Sequence, residues 1–473
     1  MDETMPADRP EAGNILATEK IGKLLVKFAV PTIISFLVSA LYNIVDQIFI
    51  GQGVGILGNA ATNIAFPVTT ISTALALLLG IGGASNFNLE LGAGRKERAS
   101  HIIGNCVVLL GITGLILCAV IIIFLEPLMH AFGATENVLS HALTYTGITA
   151  LGIPLVVFTA ASSNLIRADG SPGYAMICML SGAVLNTILD PIFIFVFDMG
   201  IAGAAWATVI GQAVSFVLAV RYYFNFKTVP LAAEHFKLKG TYIRAIVSLG
   251  AASCFNQLAM TVVQITMNNT LNYYGAESVY GSDIPLACVG VITKVNIVFM
   301  AFILGISQGN QPIVGFNYGA RNYDRVKKAY RLAATAATIV STIAFLCFQF
   351  LPRQIISIFG DGSEIYFRFA ERFFRIYMAM MFINGIQPVT ANFFTSIGKA
   401  KMGILISMTR QILFLLPLIL IFPLFFGIDG VMYAGPIADG IAAVLAFYLV
   451  SREMKKMKEL AAQVSEPEKA DRI

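Results

Sequence analysis

Apolar stretches of roughly 20 residues or more recur along this chain from residue 24 to residue 453, each long enough to cross a bilayer as a helix. No water reaches the backbone inside a bilayer, so a spanning segment must close its own hydrogen bonds, as a helix or as part of a sealed barrel. The stretches lack the period-two alternation of barrel strands, which leaves helices. Only 12% of the residues are charged, against about 25% in a typical soluble domain, too few to coat a water-facing globule of this length. The expected fold is an all-α polytopic membrane protein with twelve spans, at 24–50, 58–84, 102–125, 138–167, 174–197, 202–224, 244–272, 285–311, 330–351, 367–396, 402–426 and 431–453. The opening MDETMPADRPEAGNILATEK has no apolar core, so no cleaved signal is expected there and the N-terminus is expected in the cytoplasm.

Charge sorts the loops into two sets. Lys20, Lys23, Arg95, Lys96, Arg98, Arg167, Lys227, Lys237, Lys239, Arg321, Arg325, Lys327, Lys328, Lys399, Lys401 and the tail Arg452, Lys455, Lys456, Lys458 fall on one side. By the positive-inside bias that side is cytoplasmic, and with an even span number both termini lie there. On the other side only Arg353, Arg368 and Arg372 are basic. The net charge of +5 is thus spread by topology and gives no nucleic-acid-binding face. The six cysteines lie within or at the ends of apolar runs without CxxC spacing and read as packing residues.

The chain contains itself twice. GGASNFNLELGAGRKERA at 82–99 aligns with GNQPIVGFNYGARNYDRV at 309–326, Phe132-Gly133 with Phe359-Gly360, and Gly200-Ile201-x-Gly203 with Gly427-Ile428-x-Gly430, always 227 residues apart. Six spans per copy keep the two copies in one orientation, which predicts two six-helix lobes related by a pseudo-two-fold axis along the membrane normal. The expected division is an N-lobe at 1–226, a cytoplasmic linker at 227–240, a C-lobe at 241–453 and a polar cytoplasmic tail at 454–473. Two equal lobes without an extramembrane domain suit a rocking transporter better than a rigid scaffold or receptor.

Polar groups at membrane depth are costly and therefore informative. The first span carries Ser35, Ser39, Tyr42, Asn43, Asp46 and Gln47 on one face, after Pro31. The fifth carries Asn186 and Asp190 one turn apart, followed by Pro191, and the sixth carries Thr208 and Gln212. Counted inward at about 1.5 Å per residue, Asp46 lies about 6 Å deep, Asp190 about 10 Å and Thr208 about 9 Å, so the three can meet. Two carboxylates with hydroxyl and amide oxygens would hold a hard monovalent cation or share protons. The competing reading has both acids solvated near the headgroups.

In the second copy Leu413 and Pro417 stand opposite Asn186 and Asp190, so the cage is not repeated. Lys294 and Asp439 are expected about 14 and 12 Å deep, where opposite charges would pair, while Arg410 reads as snorkelling towards the cytoplasm. Tyr377, Met378, Met381 and Asn384 of the tenth span, with Tyr42 and Asn43 of the first, form a candidate pocket for flat cations, plain packing being the alternative for the methionine stripe.

The LYNIVDQIFIGQ stretch at 41–52, the GAGRKERA and GARNYDRV loops, the N-x-x-x-D-P at 186–191 and the duplicated twelve spans together resemble the multidrug and toxic compound extrusion (MATE) transporters, nearest their bacterial drug-efflux branch. The resemblance covers nearly the whole chain. It implies that Asp46, Asn186, Asp190 and Thr208 bind the coupling H⁺ or Na⁺, with no other cofactor and no metal beyond that Na⁺. It also implies an antiporter, not an enzyme, that extrudes organic cations or amphipathic compounds across a bacterial plasma membrane. The expected working unit is a monomer in lipid. A flippase for lipid-linked saccharides is the alternative, although such proteins resemble fourteen-span chains with a more basic cavity.

Other motifs lead nowhere. Gly53-x-Gly55-x-x-Gly58 follows no strand, Gly398-Lys399 lacks the remainder of a phosphate loop, and neither HExxH nor GxSxG occurs.

Overall fold

The computed structural model describes residues 14–358 and 363–470, with side chains as far as residue 463. Phe359-Gly360 and the first thirteen residues lie outside the described residues. Regular structure among the described residues is helical throughout. We number the long helices α1 Ile21–Gly53, α2 Ile56–Gly92, α3 Lys96–Ile123, α4 Glu136–Ala168, α5 Pro172–Val196, α6 Gly200–Tyr223, α7 Gly240–Ala276, α8 Asp283–Gly319 and α9 Tyr323–Phe350. Helix α10 is the tenth span in three pieces, Glu364–Tyr377, Met381–Asn384 and Ile386–Ser396. Helix α11 is Ala400–Phe426, and α12 runs through Ile428–Ala470. Eleven of these are long and apolar enough to cross a membrane, and the broken α10 accounts for the twelfth expected span.

Three of the helices are irregular. Pro191 has no N–H to offer the preceding turn, and α5 continues beyond it as the π-helical turn Ile192–Val196, in which Phe197 N–H reaches Ile192 O at 2.9 Å. In the repeat-related α11 a π segment spans Thr409–Leu415, just ahead of Pro417. In α10 the last piece starts just ahead of Pro388, after breaks at Met378–Met380 and Gly385.

Packing divides the chain into two compact units, but not where the loops suggest. One unit gathers Val30–Cys254, and the other gathers Glu19–Ala29 with everything from Phe255 onward. Thus the first eleven residues or so of the α1 region belong with the second copy, and α7 up to Cys254 belongs with the first. Glycines explain the exchange. A Cβ on Gly82 of α2 would lie 2.0 Å from Ile246 O of α7, and one on Gly250 of α7 would lie 1.7 Å from Leu78 O, so these backbones touch with no room for a side chain. Asn86 Nδ2 adds a hydrogen bond to Ala245 O at 2.9 Å. Gly309, the repeat partner of Gly82, makes the corresponding approach in the second unit, where its Cβ would lie 2.7 Å from Ala29 Cα of α1.

The basic exceptions on the less charged side are tied to acids, Arg353 to Glu364 at 2.7 Å, Arg372 to Asp429 at 2.7 Å and Arg368 to Glu364 at 3.6 Å. At the other end, the segment 227–240 is stitched down on the first unit. Asp169, just past α4, accepts from Tyr222 Oη at 2.6 Å, Lys227 N at 2.8 Å, Thr228 N at 2.9 Å and Thr228 Oγ1 at 2.5 Å. Burial raises its carboxyl above the ordinary carboxylate range, and these four donors offset part of that cost. Further along, Asn105 accepts Lys239 N at 2.8 Å, Ser100 Oγ donates to Pro230 O at 2.9 Å, and His235 Nε2 lies 3.2 Å from Glu97 Oε1. Glu97, His101 and His235 offer ligand atoms within 4.8 Å of one another, and several of these atoms already have hydrogen-bond partners within the protein. His235 Nδ1 accepts Ala232 N–H at 2.9 Å, which leaves Nε2 to carry the proton, and Lys239 Nζ sits 3.2 Å from His101 Nε2. The cluster is a latch for the linker.

Gly82→Val should therefore part α7 from the first unit, at a cost of about 1–3 kcal/mol or more, and sharply lower the melting temperature and the monodisperse yield. Gly111→Ala on α3, where an added Cβ meets nothing within 4 Å, should leave both unchanged. Asp169→Ala should speed tryptic cleavage at the exposed Lys227, Lys237 or Lys239 by about tenfold or more, since a charged acceptor's hydrogen bonds are worth over ~1.4 kcal/mol together. An unchanged cleavage rate would mean that Asp169 does not hold the linker.

Candidate coupling-ion site

The polar stripe of α1, the Asn186/Asp190 pair of α5 and Thr208 of α6 converge inside the first unit. Asn186 Nδ2 lies 3.2 Å from Asp190 Oδ1 and 3.3 Å from Thr208 Oγ1, while the Thr208 hydroxyl also reaches back to Ala204 O at 3.0 Å. The carboxyl groups of Asp46 and Asp190 approach closely enough to interact directly, and the Tyr42 and Tyr145 phenols lie within electrostatic reach of both. Asp190 is 0% exposed, Asn186 3% and Asp46 6%, so in this fold the acids are interior groups and not solvated ones.

What these atoms lack is as informative as what they touch. Asp46 Oδ1, Asn186 Oδ1, Asp190 Oδ2 and Gln212 Oε1 are buried acceptors with no hydrogen-bond partner. An unpaired buried oxygen costs on the order of 1–3 kcal/mol, more if charged, and native folds carry few of them. Among the described residues no Lys, Arg or His acts on the charge of Asp46 or Asp190. The three orphaned acceptors on Asp46, Asn186 and Asp190, two of them on neighbouring carboxyls, make a set that a proton or a small cation would satisfy, and Gln212 stands one turn along α6 from Thr208.

One turn further along each helix the chemistry switches. Ile50 follows Asp46, Ile194 follows Asp190 and Ala204 precedes Thr208, and these three form a fully buried apolar cluster with Phe49, Val54 and Tyr145 packed on it. The polar set is therefore capped by a dry layer on the side away from the basic loops.

In the second unit the expected pair is not formed. Asp439 is held by Arg410, the two side chains being 3% and 17% exposed, whereas Lys294 is exposed on α8 and pairs with no acid among the described residues. Depth along the membrane supplies one coordinate only. Which helix face meets which is set by packing, and Arg410 lies in the π segment of α11, packed directly on α12. Arg410 thus does not snorkel. Tyr377, Met378, Met381 and Asn384 sit at the two breaks of α10 with 9%, 5%, 1% and 8% exposure, and Asn384 Nδ2 points at Met381 Sδ, 3.8 Å away. As placed they are interior residues of the second unit, while Tyr42 is half-buried and Asn43 exposed in the first, its amide on Ser39 O at 2.6 Å. Tyr145 escaped the sequence reading because a lone tyrosine in an apolar span carries no period. Only its depth, level with Thr208, could have flagged it.

A family model described as MatE matches residues 31–192 and 252–421, one match in each copy of the repeat. The multidrug export protein MepA of Staphylococcus haemolyticus is 24% identical over 435 residues, covering 91% of this chain and 93% of its own. Among solved structures, one described as the outward-facing conformation of a multidrug resistance MATE family transporter of the MOP superfamily superposes with a TM-score of 0.88 at 23% identity, covering 95% of this chain and 100% of its own. A second, a MATE protein in complex with MaD3S, gives 0.86 at 23% identity over 94% of this chain and 98% of its own. With both halves matched by the family model and the helical fold shared along nearly its whole length, the chain belongs to the MatE family of multidrug and toxic compound extrusion transporters.

Proposed function

We propose that this transporter exchanges H⁺ or Na⁺ moving inward for organic cations, drugs or amphipathic compounds moving outward, by alternating access in a bacterial plasma membrane with both termini in the cytoplasm. The observation that carries the reading is the set of orphaned oxygens on Asp46, Asn186 and Asp190, beside Thr208, with no Lys, Arg or His among the described residues acting on either acid. The multidrug export role named for MepA supports the substrate class, and the basic loops at one end of the helices support the orientation. Coupling then follows from linkage. A cation that binds the acids in one state and leaves in the other shifts the two-state equilibrium by the ratio of its affinities, and substrate shifts it in the opposite direction by its own ratio. The dry layer of Ile50, Ile194 and Ala204 closes the acids off at one end, so the cation must enter and leave when that layer opens or from the other end.

In proteoliposomes, an imposed H⁺ or Na⁺ gradient should drive movement of a lipophilic dye cation such as ethidium. Asp46→Asn and Asp190→Asn should each cut that flux at least about tenfold at matched insertion, because the amide keeps size and hydrogen bonding but loses titration and cation attraction. Flux driven by neither gradient would refute coupling, and wild-type flux in both variants would remove these acids from the mechanism. The same amides should raise the melting temperature at alkaline pH in a buffer without Na⁺, since they remove buried carboxylates that no base offsets.

A further inference from the structure

The offset of 227 residues that superimposes the two copies places Asp439 of α12 on Gln212 of α6, Ala438 on Gly211 and Gly430 on Gly203. The packing agrees with the alignment. A Cβ on Gly203 would lie 2.8 Å from Phe193 C, where α5 ends against α6, and one on Gly430 would lie 2.5 Å from Phe422 C, where α11 ends against α12. Gln212 Oε1 lies against Gly152 of α4, where a Cβ would be 2.1 Å away. In the second unit the α10 residue Tyr377, two positions before the counterpart of Gly152, lays its ring against Gly435, one turn ahead of Asp439 and the counterpart of Thr208. Asp439 therefore occupies the place in the second copy that Gln212, whose buried oxygen is unpartnered one turn along α6 from Thr208, occupies in the first. The two places are filled differently. The first unit has acceptors without donors, and the second has a carboxylate held by a guanidinium from the π segment of its own α11.

We propose that Arg410 is a resident counter-cation: it holds, covalently tethered, the position that the exchangeable cation takes in the first unit, so that the second unit takes up no coupling ion and ion uptake rests on the first unit alone. This rests on the reading of Asp46 and Asp190 as the coupling-ion site. A guanidinium stays charged at every working pH and is fixed to the chain, so it satisfies Asp439 permanently and cannot be exchanged for a proton or a metal ion. Leu413, Pro417 and Gly435 stand at the counterparts of Asn186, Asp190 and Thr208 and offer no side-chain oxygen, which leaves the arginine as the partner of this acid.

The full chain in nanodiscs can be titrated with two probes, ²²Na⁺ by equilibrium binding and H⁺ by pH-stat, with folding checked by monodispersity and melting. The wild-type cation uptake should be lost in the Asp46→Asn/Asp190→Asn double variant. Arg410→Met should bind an additional cation, doubling the uptake. Placed in the Asp46→Asn/Asp190→Asn background, it should restore an uptake that Asp439→Leu then abolishes. Arg410→Gln, with a neutral side chain that can still donate to Asp439, serves in its place if the methionine variant does not fold. The paired change Arg410→Met/Asp439→Leu removes both charges and should keep the wild-type uptake. A folded Arg410 variant with no added cation, or loss of uptake in the paired change, overturns the proposal. Uptake unaffected by Asp46→Asn/Asp190→Asn overturns the first unit's site instead, and with it the equivalence. The gain on Arg410→Met reads the second unit separately.

Discussion

Asp46 and Asp190 share one buried volume of the first unit with no base beside them, and much of that unit's construction follows from this. Two neighbouring carboxyls cannot both ionise cheaply in an apolar bundle, so the site favours taking up positive charge. Asn186 fixes the arrangement by donating to both Asp190 and Thr208, which leaves its own oxygen and those of the acids facing inward. The isoleucines one turn away keep water from relieving the same deficit. A fold that stores an unmet electrostatic demand gives up stability, as functional sites commonly do, and the rest of the unit has to hold it in place.

Small residues do that holding. Gly82 and Gly250 bring α2 and α7 to backbone contact, and the Asn86 amide locks the crossing. The repeat-related Gly309 makes its own close approach to Ala29. Such contacts exclude lipid and side chains alike and gain dispersion energy where no hydrophobic effect operates between helices in a membrane. They also make the compact units differ from the sequence copies, because each unit recruits the start of the other copy's leading helix. The Asp169 knot and the Asn105, Ser100 and His235 contacts then hold the connecting segment against the first unit.

The two copies show how one scaffold diverges. Both have a π segment next to a proline in the fifth helix of the copy and a glycine-mediated junction with the sixth. One fills the neighbouring space with unpartnered oxygens and the other with an internal ion pair. A π turn changes which residues face a neighbouring helix, so it is a local device by which equivalent positions come to present different chemistry.

Sequence alone determined the helices, their number, the internal repeat and the depth and helix face at which Asp46, Asn186, Asp190 and Thr208 can meet, because span length, charge bias and i, i+4 spacing are local properties that a helix translates directly into depth and face. It did not determine azimuth. Lys294 and Asp439 match in depth, yet Asp439 meets Arg410, since contact depends on which helices pack together and on the rotation that the π segment of α11 introduces. The same limit hid Tyr145 beside the acids and the assignment of Glu19–Ala29 to the second unit. Those were decided by close packing between segments remote in the chain, where a glycine's missing side chain or a guanidinium's reach fixes the neighbour, and no periodicity in the sequence records that choice.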